Sequence, residues 1–255
     1  MSTGDRLYTD RERAQSFGSV ADAYDRYRPV YPDALIDDLV ELGARRVLDV
    51  ACGTGKIAVP LLACGMAVLG VEIDPGMAAV ARRHGIIVEE GAFETWDDAG
   101  RRFDLITCGQ AWHWIDPELG NAKAARLLNP GGTLALLWNY DDLDPKVLRA
   151  FEAVLRAHAP ELIESDHRPD EDDRHVDDLK RTGLFESVHT RRYKWSQTLT
   201  ADEWIGRLGT YSAYIRLPGE QRDRVLTGLR EVIDSLGGSV DSRFGTYTIS
   251  ARIPE

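Results

Sequence analysis

The sequence lacks any hydrophobic run long enough to cross a lipid bilayer. Its longest uncharged run, residues 57–71, has 15 residues and is interrupted by Pro60, Gly65 and Gly70. A membrane-spanning helix needs about 20 apolar residues, which argues against an integral membrane protein. Residues 1–13 carry three Arg, two Asp and one Glu and contain no apolar core, so we expect no secretory signal.

Cysteine is also scarce, and the three that are present, Cys52, Cys64 and Cys108, form no C-x-x-C pair. A sparse and odd number of cysteines is typical of a reducing compartment. We therefore expect a cytoplasmic protein without a disulfide framework. The isolated histidines show no metal-ligand spacing, and we expect no bound metal.

Positive charge is in deficit, because 31 Lys and Arg residues are set against 42 Asp and Glu residues, a net charge of −11. Such a surface repels a phosphate backbone, so we expect neither nucleic acid nor a membrane as partner. Hydrophobic residues make up 43% of the 255 residues and charged residues 29%, which is typical of a globular chain. We expect one domain, residues 1–255, as a monomer or homodimer that acts on a small molecule.

Short apolar runs alternate with helical patterns through the first part of the chain. Asp74-Pro75 and Asp116-Pro117 both signal a helix start, with Asp as N-cap and Pro in the first turn. This alternation predicts a doubly wound α/β fold, a parallel sheet covered on both faces that binds ligands at the carboxyl ends of its strands. The predicted strands of the repeat are residues 46–50, 67–72, 85–88, 103–108 and 133–138.

The flanking segments predict accessory helices and two further strands, at residues 188–199 and 246–253. The acid-rich residues 161–178 are predicted as a solvated loop. The predicted divisions of the chain are residues 14–42 (an N-terminal helical lid), 43–140 (a cofactor-binding core) and 200–242 (a helical cap insertion before the final strand).

The most informative segment is residues 47–55, a buried strand that contains Asp49 near its end and passes into a turn of small residues. Small residues let the backbone approach a ligand closely, and the helix that follows directs its N–H groups at that ligand. One interpretation is a dinucleotide site. Residues 53–58 match G-x-G-x-x-G/A, and Glu72, 19 residues after Gly53, could hold a ribose.

The other interpretation is a site for S-adenosylmethionine, and three features favour it. Asp49 would repel a pyrophosphate but suits the ammonium of a methionine tail. Residues 130–132, Pro-Gly-Gly, lead into the fifth strand as is usual in methyl-transfer sheets. The aromatic patch at residues 110–114 has no obvious role beside a nicotinamide but could line a sulfonium pocket by cation–π contact.

A series of motifs occurs in the order found in one enzyme family, at residues 17–32, 47–55, 70–75, 91–94, 110–114 and 128–132. With these motifs the chain resembles the class I S-adenosylmethionine-dependent methyltransferases of the small-molecule type. It is similar to the branch that includes trans-aconitate methyltransferase and the quinone-biosynthesis C-methyltransferases, and to the type 11 methyltransferase domain, over roughly residues 14–140. The resemblance implies a Rossmann-like sheet of seven mostly parallel strands, of which the last is antiparallel.

The resemblance also implies a set of cofactor-binding residues. Asp49 and the turn after it hold the methionine portion, Glu72 accepts both ribose hydroxyls, and Ile73 lies against the adenine. Arg28 of the lid pairs with the cofactor carboxylate. The alternative is that Arg28 is solvated and residues 28–32 only shape a corner between helices. The full set is Tyr24, Arg28, Asp49, Ala51, Gly53, Gly55, Glu72, Ile73, Ala92, Phe93 and Gln110.

Two positions depart from the family pattern. The family usually has Gly where this chain has Ala51, and a methyl group fits there if the backbone angle is ordinary. The family often has Asp where this chain has Ala92, so the adenine amino group needs another acceptor. Glu94 or a backbone carbonyl is the candidate.

Methyl transfer requires that the nucleophile be aligned behind the methyl group and, for a hydroxyl, that a base remove its proton. His113, after the fourth strand, is the predicted base, because an ordinary histidine pKa of about 6.5 suits the task. A structural histidine packed between its tryptophan neighbours is the alternative. We expect an oxygen acceptor, a hydroxyl or a carboxylate, and S-adenosylhomocysteine as product. The predicted substrate-binding residues are Trp112, Trp114, Tyr140, Tyr211 and Tyr214.

Two other functions stay open at this point. One is an NAD-dependent oxidoreductase of Rossmann type. The other is a catalytically silent cofactor-binding protein that acts through partners.

Overall fold

A seven-stranded sheet organises the protein, whose computed structural model describes residues 7–10, 16–165 and 174–255. The strands are β1 (Arg46–Val50), β2 (Ala67–Glu72), β3 (Ile87–Glu90), β4 (Phe103–Gly109), β5 (Leu128–Leu143), β6 (Ser187–Thr200) and β7 (Ser239–Arg252). Their order is β3-β2-β1-β4-β5-β7-β6. The first five are parallel, and β7 runs antiparallel to both β5 and β6. The predicted Rossmann-like sheet with an antiparallel last strand is confirmed.

Helices pack on both faces of this sheet and at its carboxyl edge. They are α1 (Ala21–Tyr27), α2 (Asp33–Glu41), α3 (Ala58–Ala63), α4 (Pro75–Arg83), α5 (Pro117–Leu127), α6 (Pro145–His158), α7 (Arg174–Thr182), α8 (Ala201–Leu208), α9 (Ser212–Ile215) and α10 (Gly219–Ser235). Short 3-10 turns lie at Leu7–Thr9, Ser16–Val20, Trp112–Trp114 and Pro160–Ser165.

The predicted helix starts form because side chains satisfy the free N–H groups of the first turn. Asp74 accepts hydrogen bonds from the backbone of Gly76 (2.8 Å) and Met77 (3.2 Å). Asp116 does the same for the first turn of α5. Thr200 and Glu203 form a reciprocal capping box at the start of α8.

The core lies on both faces of the sheet, as expected for parallel strands between helices. On β1, Leu48 and Val50 pack into one cluster and Val47 into the other, and all three are fully buried. A third cluster lies beneath α8 and α10 and includes Trp204 and Leu229. The helices between β6 and β7 therefore have a core of their own next to the sheet.

Several boundaries differ from the predicted ones. Residues 174–178 of the predicted acidic loop belong to α7, because Val176 and Leu179 are buried against the sheet at helical spacing. Residues 166–173 of that predicted loop lie outside the described residues. The third strand begins two residues later than predicted, while β5 and the final strand are both longer and pair over eleven positions.

The sheet topology creates a crevice at the carboxyl end of β1. The chain leaves β1 for β2 on one side and reaches β4 on the other, so the connecting segments diverge there. Ligands of open α/β sheets bind at such a point.

Candidate active site

The turn after β1 adopts a left-handed backbone at three positions. The φ angles are 51° at Ala51, 57° at Gly53 and 92° at Gly55. The condition under which a methyl group fits at Ala51, an ordinary backbone angle, is therefore not met. A Cβ in this region costs about 1–2 kcal/mol, so the turn is strained at Ala51, where the family pattern has Gly. Gln110, at the end of β4, is left-handed as well, with φ of 61°.

Asp49 of β1 is fully buried beside this turn. Its Oδ1 accepts a hydrogen bond from the Thr107 hydroxyl at 2.8 Å, whereas its Oδ2 has no partner within the described part of the chain. Burial raises the pKa of Asp49 to about 8. The Thr107 hydrogen bond opposes that rise and the nearby Glu72 carboxylate adds to it. A buried carboxyl with an unused oxygen is suited to a cationic partner.

Glu72 ends β2 next to the same turn, with 5% of its surface exposed. One carboxylate oxygen accepts the Gly53 N–H at 2.8 Å and the other accepts the Asp74 N–H at 2.9 Å. Burial raises the pKa of Glu72, and these backbone hydrogen bonds oppose the shift. A carboxylate offers about four acceptor positions, so two remain for further donors.

The N-terminal segment lies over the carboxyl end of β2. The Gly18 N–H donates to Asp74 Oδ2 at 2.9 Å, and the Cα of Gly18 packs closely on Gly76. The ring of Tyr24 on α1 meets Phe17 edge-on at 6.0 Å. Burial raises the pKa of Tyr24.

Arg28 joins this N-terminal segment to the helices inserted between β6 and β7. Its Nε donates to Thr210 Oγ1 at 2.8 Å and its Nη2 to the Thr210 carbonyl at 3.0 Å. The guanidinium carbon lies 3.7 Å from the ring centre of Tyr211 and 4.9 Å from that of Tyr24. Arg28 is therefore held by specific contacts and is not a solvated corner residue.

A cavity opens between the turn after β1, the ends of β4 and β5, the N-terminal segment and α8. The space that no atom fills there, open solvent at its mouth included, is about 670 Å³. Eight of the predicted site residues line it: Tyr24, Arg28, Asp49, Ala51, Gly53, Gln110, Tyr140 and Tyr211.

Residues 112–114 of the aromatic patch after β4 lie apart from this cavity, although Gln110 lines it. Trp112 is 1% exposed and packs in the core against Phe93, with ring centres 6.0 Å apart. His113 lies 4.9 Å from the half-buried Trp114 on the same 3-10 turn, and neither residue lines the cavity. Tyr214 is buried beneath Tyr211. The structure therefore places three of the predicted substrate-binding residues, and the predicted base, away from the cavity wall.

The predicted adenine contacts follow β2 and β3. Ile73 and Ala92 are half-buried, and the side chain of Phe93 belongs to the core. Glu94, the candidate acceptor for the adenine amino group, accepts the backbone N–H of Asp116 at 3.1 Å. These residues, together with Gly55 and Glu72, lie outside the cavity lining.

Sequence reasoning missed several residues that line the cavity, among them Lys56, Arg207 and Phe244. Lys56 occupies an unspecified position of the glycine motif, so the motif assigns it no role. It pairs with Asp25, with Nζ 3.6 Å from Oδ1. Arg207 lies on α8, within the predicted helical cap insertion, and an arginine is ordinarily expected in solvent. No sequence signal marks it as buried.

None of the helices within the described residues is both long and apolar enough to cross a membrane. Within residues 7–10, 16–165 and 174–255, no group of three or more His, Cys, Asp or Glu side chains could hold a metal ion.

Comparisons of sequence find methyltransferases. A family described as a methyltransferase domain matches residues 47–132. An uncharacterized methyltransferase from Mycobacterium tuberculosis is 32% identical over 225 residues, covering 88% of this chain and 87% of that protein. A ubiquinone biosynthesis O-methyltransferase from Alkalilimnicola ehrlichii is 35% identical over 112 residues, covering 41% of this chain and 45% of the relative.

Comparisons of structure agree on the fold. A protein from Anaeromyxobacter dehalogenans, assigned provisionally as a type II methyltransferase, superposes with a TM-score of 0.65 at 23% identity, covering 90% of this chain and all of that one. Phosphoethanolamine N-methyltransferase 2 from Haemonchus contortus, solved with phosphomonomethylethanolamine and S-adenosylhomocysteine, gives a TM-score of 0.54 at 15% identity, covering 100% of this chain and 61% of that one. These matches do not favour the dinucleotide interpretation of the glycine turn. The strand order and the relative that is 32% identical over most of both chains agree: the chain belongs to the class I S-adenosylmethionine-dependent methyltransferases.

Proposed function

We propose that this protein transfers a methyl group from S-adenosylmethionine to an oxygen atom of a small molecule by in-line displacement. One observation carries the cofactor assignment. Asp49 is fully buried at the carboxyl edge of the sheet, and its Oδ2 has no partner among the described residues. The ammonium of a methionine tail would supply the missing hydrogen bond and the opposite charge.

The residues around Asp49 fit the rest of the cofactor. The left-handed turn of Ala51, Gly53 and Gly55 brings backbone close to the methionine portion. Arg28 lies on the same cavity and can pair with its carboxylate.

In this proposal the ribose and adenine of the cofactor lie next to the carboxyl ends of β2 and β3. Glu72 retains two acceptor positions for the ribose hydroxyls. Ile73, Ala92 and the backbone of Phe93 would flank the adenine. When bound, S-adenosylmethionine supplies a methyl group made electrophilic by the sulfonium.

The protein's contribution to the reaction is to position the reactants and exclude water. Alignment of a nucleophile with the reacting carbon can lower a barrier by up to about 7–11 kcal/mol. The N-terminal lid, residues 14–42, and the helical insertion, residues 200–242, would close over the cofactor core, residues 43–140. The hydrogen bonds from Arg28 to Thr210 link the two covers.

An oxygen acceptor suits the polar wall of the cavity. Tyr140 and Tyr211 line it beside Gln110, which would contact the cofactor near the transferable methyl. The partial relatives named as ubiquinone biosynthesis O-methyltransferases support the same acceptor element. A hydroxyl acceptor needs a base and a carboxylate does not. His113, the predicted base, does not line the cavity, so it would serve a hydroxyl acceptor only if the 3-10 turn that carries it moved toward the cavity.

Calorimetric titration with S-adenosylhomocysteine and, separately, with NAD tests the cofactor assignment. We expect binding of S-adenosylhomocysteine alone, and at least tenfold weaker binding by Glu72→Ala, since charge-assisted hydrogen bonds are among the strongest in proteins. Glu231→Ala, an exposed carboxylate of α10, is the matched control and leaves the affinity unchanged. Absence of S-adenosylhomocysteine binding would contradict the proposal.

Methyl transfer itself is measured separately, with radiolabelled S-adenosylmethionine and a panel of small hydroxyl and carboxyl compounds. Tight cofactor binding without transfer to any of them would instead support the silent cofactor-binding protein.

A further inference from the structure

Tyr31 combines a ring that is anchored in the core with a place on the cavity wall, and none of the cofactor contacts proposed above uses it. It belongs to the N-terminal lid, two residues before α2, and is 5% exposed. Its ring is part of the core cluster that includes Leu35, Val47 and Leu105. Tyr31 also lines the cavity, so one part of the side chain must meet the open space.

The part that meets the cavity is the hydroxyl, which lies directly on Gly109 at the end of β4. A Cβ atom added to Gly109 would come within 2.3 Å of the hydroxyl oxygen of Tyr31 and 3.2 Å of the ring carbon that carries it. The backbone of Gly109 does not itself require glycine, because its φ angle is not in the left-handed region. Gly109 therefore leaves the room that the hydroxyl occupies. Gly109 lines the cavity as well, which places the hydroxyl at the cavity wall.

The backbone next to Tyr31 is fixed by β5 and β7. Asn139 Nδ2 donates to the carbonyl of Val30 at 3.2 Å, and Asn139 Oδ1 accepts the Thr246 hydroxyl at 2.6 Å. Tyr31 is thus positioned through its ring and through the backbone of its neighbour. Its position does not depend on a bond to its hydroxyl.

The hydroxyl of Tyr31 forms no hydrogen bond with any group of the described residues. Burial raises the pKa of Tyr31 well above its usual range. Tyr24 and the Asp49 carboxylate add to this rise, and the Arg28 guanidinium opposes it. The hydroxyl therefore keeps its proton at neutral pH and can act as a donor. A donor held in a buried position is destabilising until an acceptor reaches it.

Asp49 and the Tyr31 hydroxyl lie on the same face of the sheet. Val47, in the same cluster as Tyr31, is two residues before Asp49, and side chains alternate along a strand. Gly109 is two residues beyond Thr107, which pairs with Asp49 across the strands. The Cα atoms of Asp49 and Gly109 are therefore roughly 8 Å apart. The ammonium and carboxylate of one α-amino acid can span this gap, each at about 2.8 Å from its partner.

We propose that the Tyr31 hydroxyl donates a hydrogen bond to the carboxylate of S-adenosylmethionine. This inference rests on the proposed function, because it adds a contact to the cofactor assigned to this cavity. Thr210 uses Nε and Nη2 of Arg28, which leaves Nη1 for the same carboxylate. A carboxylate has about four acceptor positions, so both donors can bind it together. With Asp49 on the ammonium, the amino-acid end of the cofactor is held by the lid and by the sheet.

Calorimetric titration with two ligands tests the proposal. One is S-adenosylhomocysteine, and the other is its decarboxylated analogue, in which a hydrogen atom replaces the carboxylate and the ammonium stays. We expect Tyr31→Phe to bind S-adenosylhomocysteine at least tenfold more weakly than the parent, because a hydrogen bond to a charged group is lost. The decarboxylated analogue should bind the variant and the parent within about twofold of each other.

Unchanged affinity of Tyr31→Phe for S-adenosylhomocysteine overturns the inference. Equal weakening of both ligands overturns it too, because the hydroxyl would then act on another part of the cofactor or on the fold. If the parent protein itself fails to bind S-adenosylhomocysteine, the proposed function fails and the inference falls with it.

Thermal melts without ligand separate recognition from structural support. Because its hydroxyl has no partner among the described residues, Tyr31→Phe should melt within about 1 °C of the parent. Tyr193→Phe is the matched control, since the Tyr193 hydroxyl belongs to the same core cluster and donates to Asp38 away from the cavity. We expect this control to lower the melting temperature and to keep the affinity for S-adenosylhomocysteine. An equal drop in the melting temperature of Tyr31→Phe would give its hydroxyl a structural role and overturn the inference.

Discussion

Cofactor binding should be linked to ionisation of Asp49. The pKa of this carboxyl is raised to about 8 by burial, so at pH 7 about ten carboxyls are protonated for each ionised one. An ammonium placed against Oδ2 favours the ionised form and lowers the pKa. Binding of S-adenosylhomocysteine at pH 7 should therefore release about 0.9 proton, and the affinity should rise about tenfold from pH 6 to pH 7.

Asp49→Asn removes this linkage, since an amide does not titrate. A neutral hydrogen bond is weaker than a charge-assisted one by about 1–1.5 kcal/mol, so we expect about tenfold weaker binding by the variant at pH 7. Its affinity should not change with pH, and the difference from the parent should nearly vanish at pH 6.

Titration calorimetry in two buffers with different ionisation enthalpies counts the released protons. Glu72→Gln is measured beside it, because burial raises the pKa of Glu72 as well. If the parent protein releases no proton at pH 7, or if Asp49→Asn releases as many as the parent, the role given to Asp49 is refuted.

Three further predictions concern single side chains. Ala51→Gly should raise the melting temperature by about 1–2 °C, because removal of the left-handed strain exceeds the entropic cost of glycine by about 0.5–1 kcal/mol; a lower melting temperature would contradict it. His113→Ala should reduce turnover of a hydroxyl acceptor at least tenfold without changing S-adenosylhomocysteine affinity, and unchanged turnover would remove the proposed base. Gly245→Ala should destabilise the protein by about 1–3 kcal/mol, because the added Cβ would overlap the ring of Tyr140. In a protein that already carries Tyr140→Ala, adding Gly245→Ala should lower the melting temperature much less than it does in the parent, and an equal loss in both would place the clash elsewhere.

The fold was predictable wherever the determining interactions are local in sequence. The caps at Asp74, Asp116 and Thr200 act within three residues of each helix start, and a sequence pattern can represent them fully. Helix α7 was not predicted because its two buried residues, Val176 and Leu179, stand among charged neighbours. Its stability comes from packing against the sheet, which the local composition does not contain.

The residues of the candidate site also divide into those that a local sequence pattern predicts and those that only long-range contacts place. Asp49 and Gln110 follow from their places at strand ends, because parallel strands bring those ends to one edge. Trp112 comes directly after such an end, yet the 3-10 turn directs it into the core beside Phe93. Arg207 enters the cavity only through its pairing with Asp141, 66 residues away in the sequence. Such a contact has no local signature.

Several departures from ordinary backbone conformation and hydrogen bonding lie around one cavity. Ala51 and Gln110 are two of the three non-glycine residues with positive φ in the described chain, and both line it. Asp49 and Arg207 there each keep a buried polar atom that has no partner among the described residues. Each feature costs on the order of 1–3 kcal/mol, and a glycine or an apolar side chain would avoid it. A turn that must approach a ligand accounts for the backbone at Ala51 and Gln110, and a ligand ammonium accounts for the unused oxygen of Asp49.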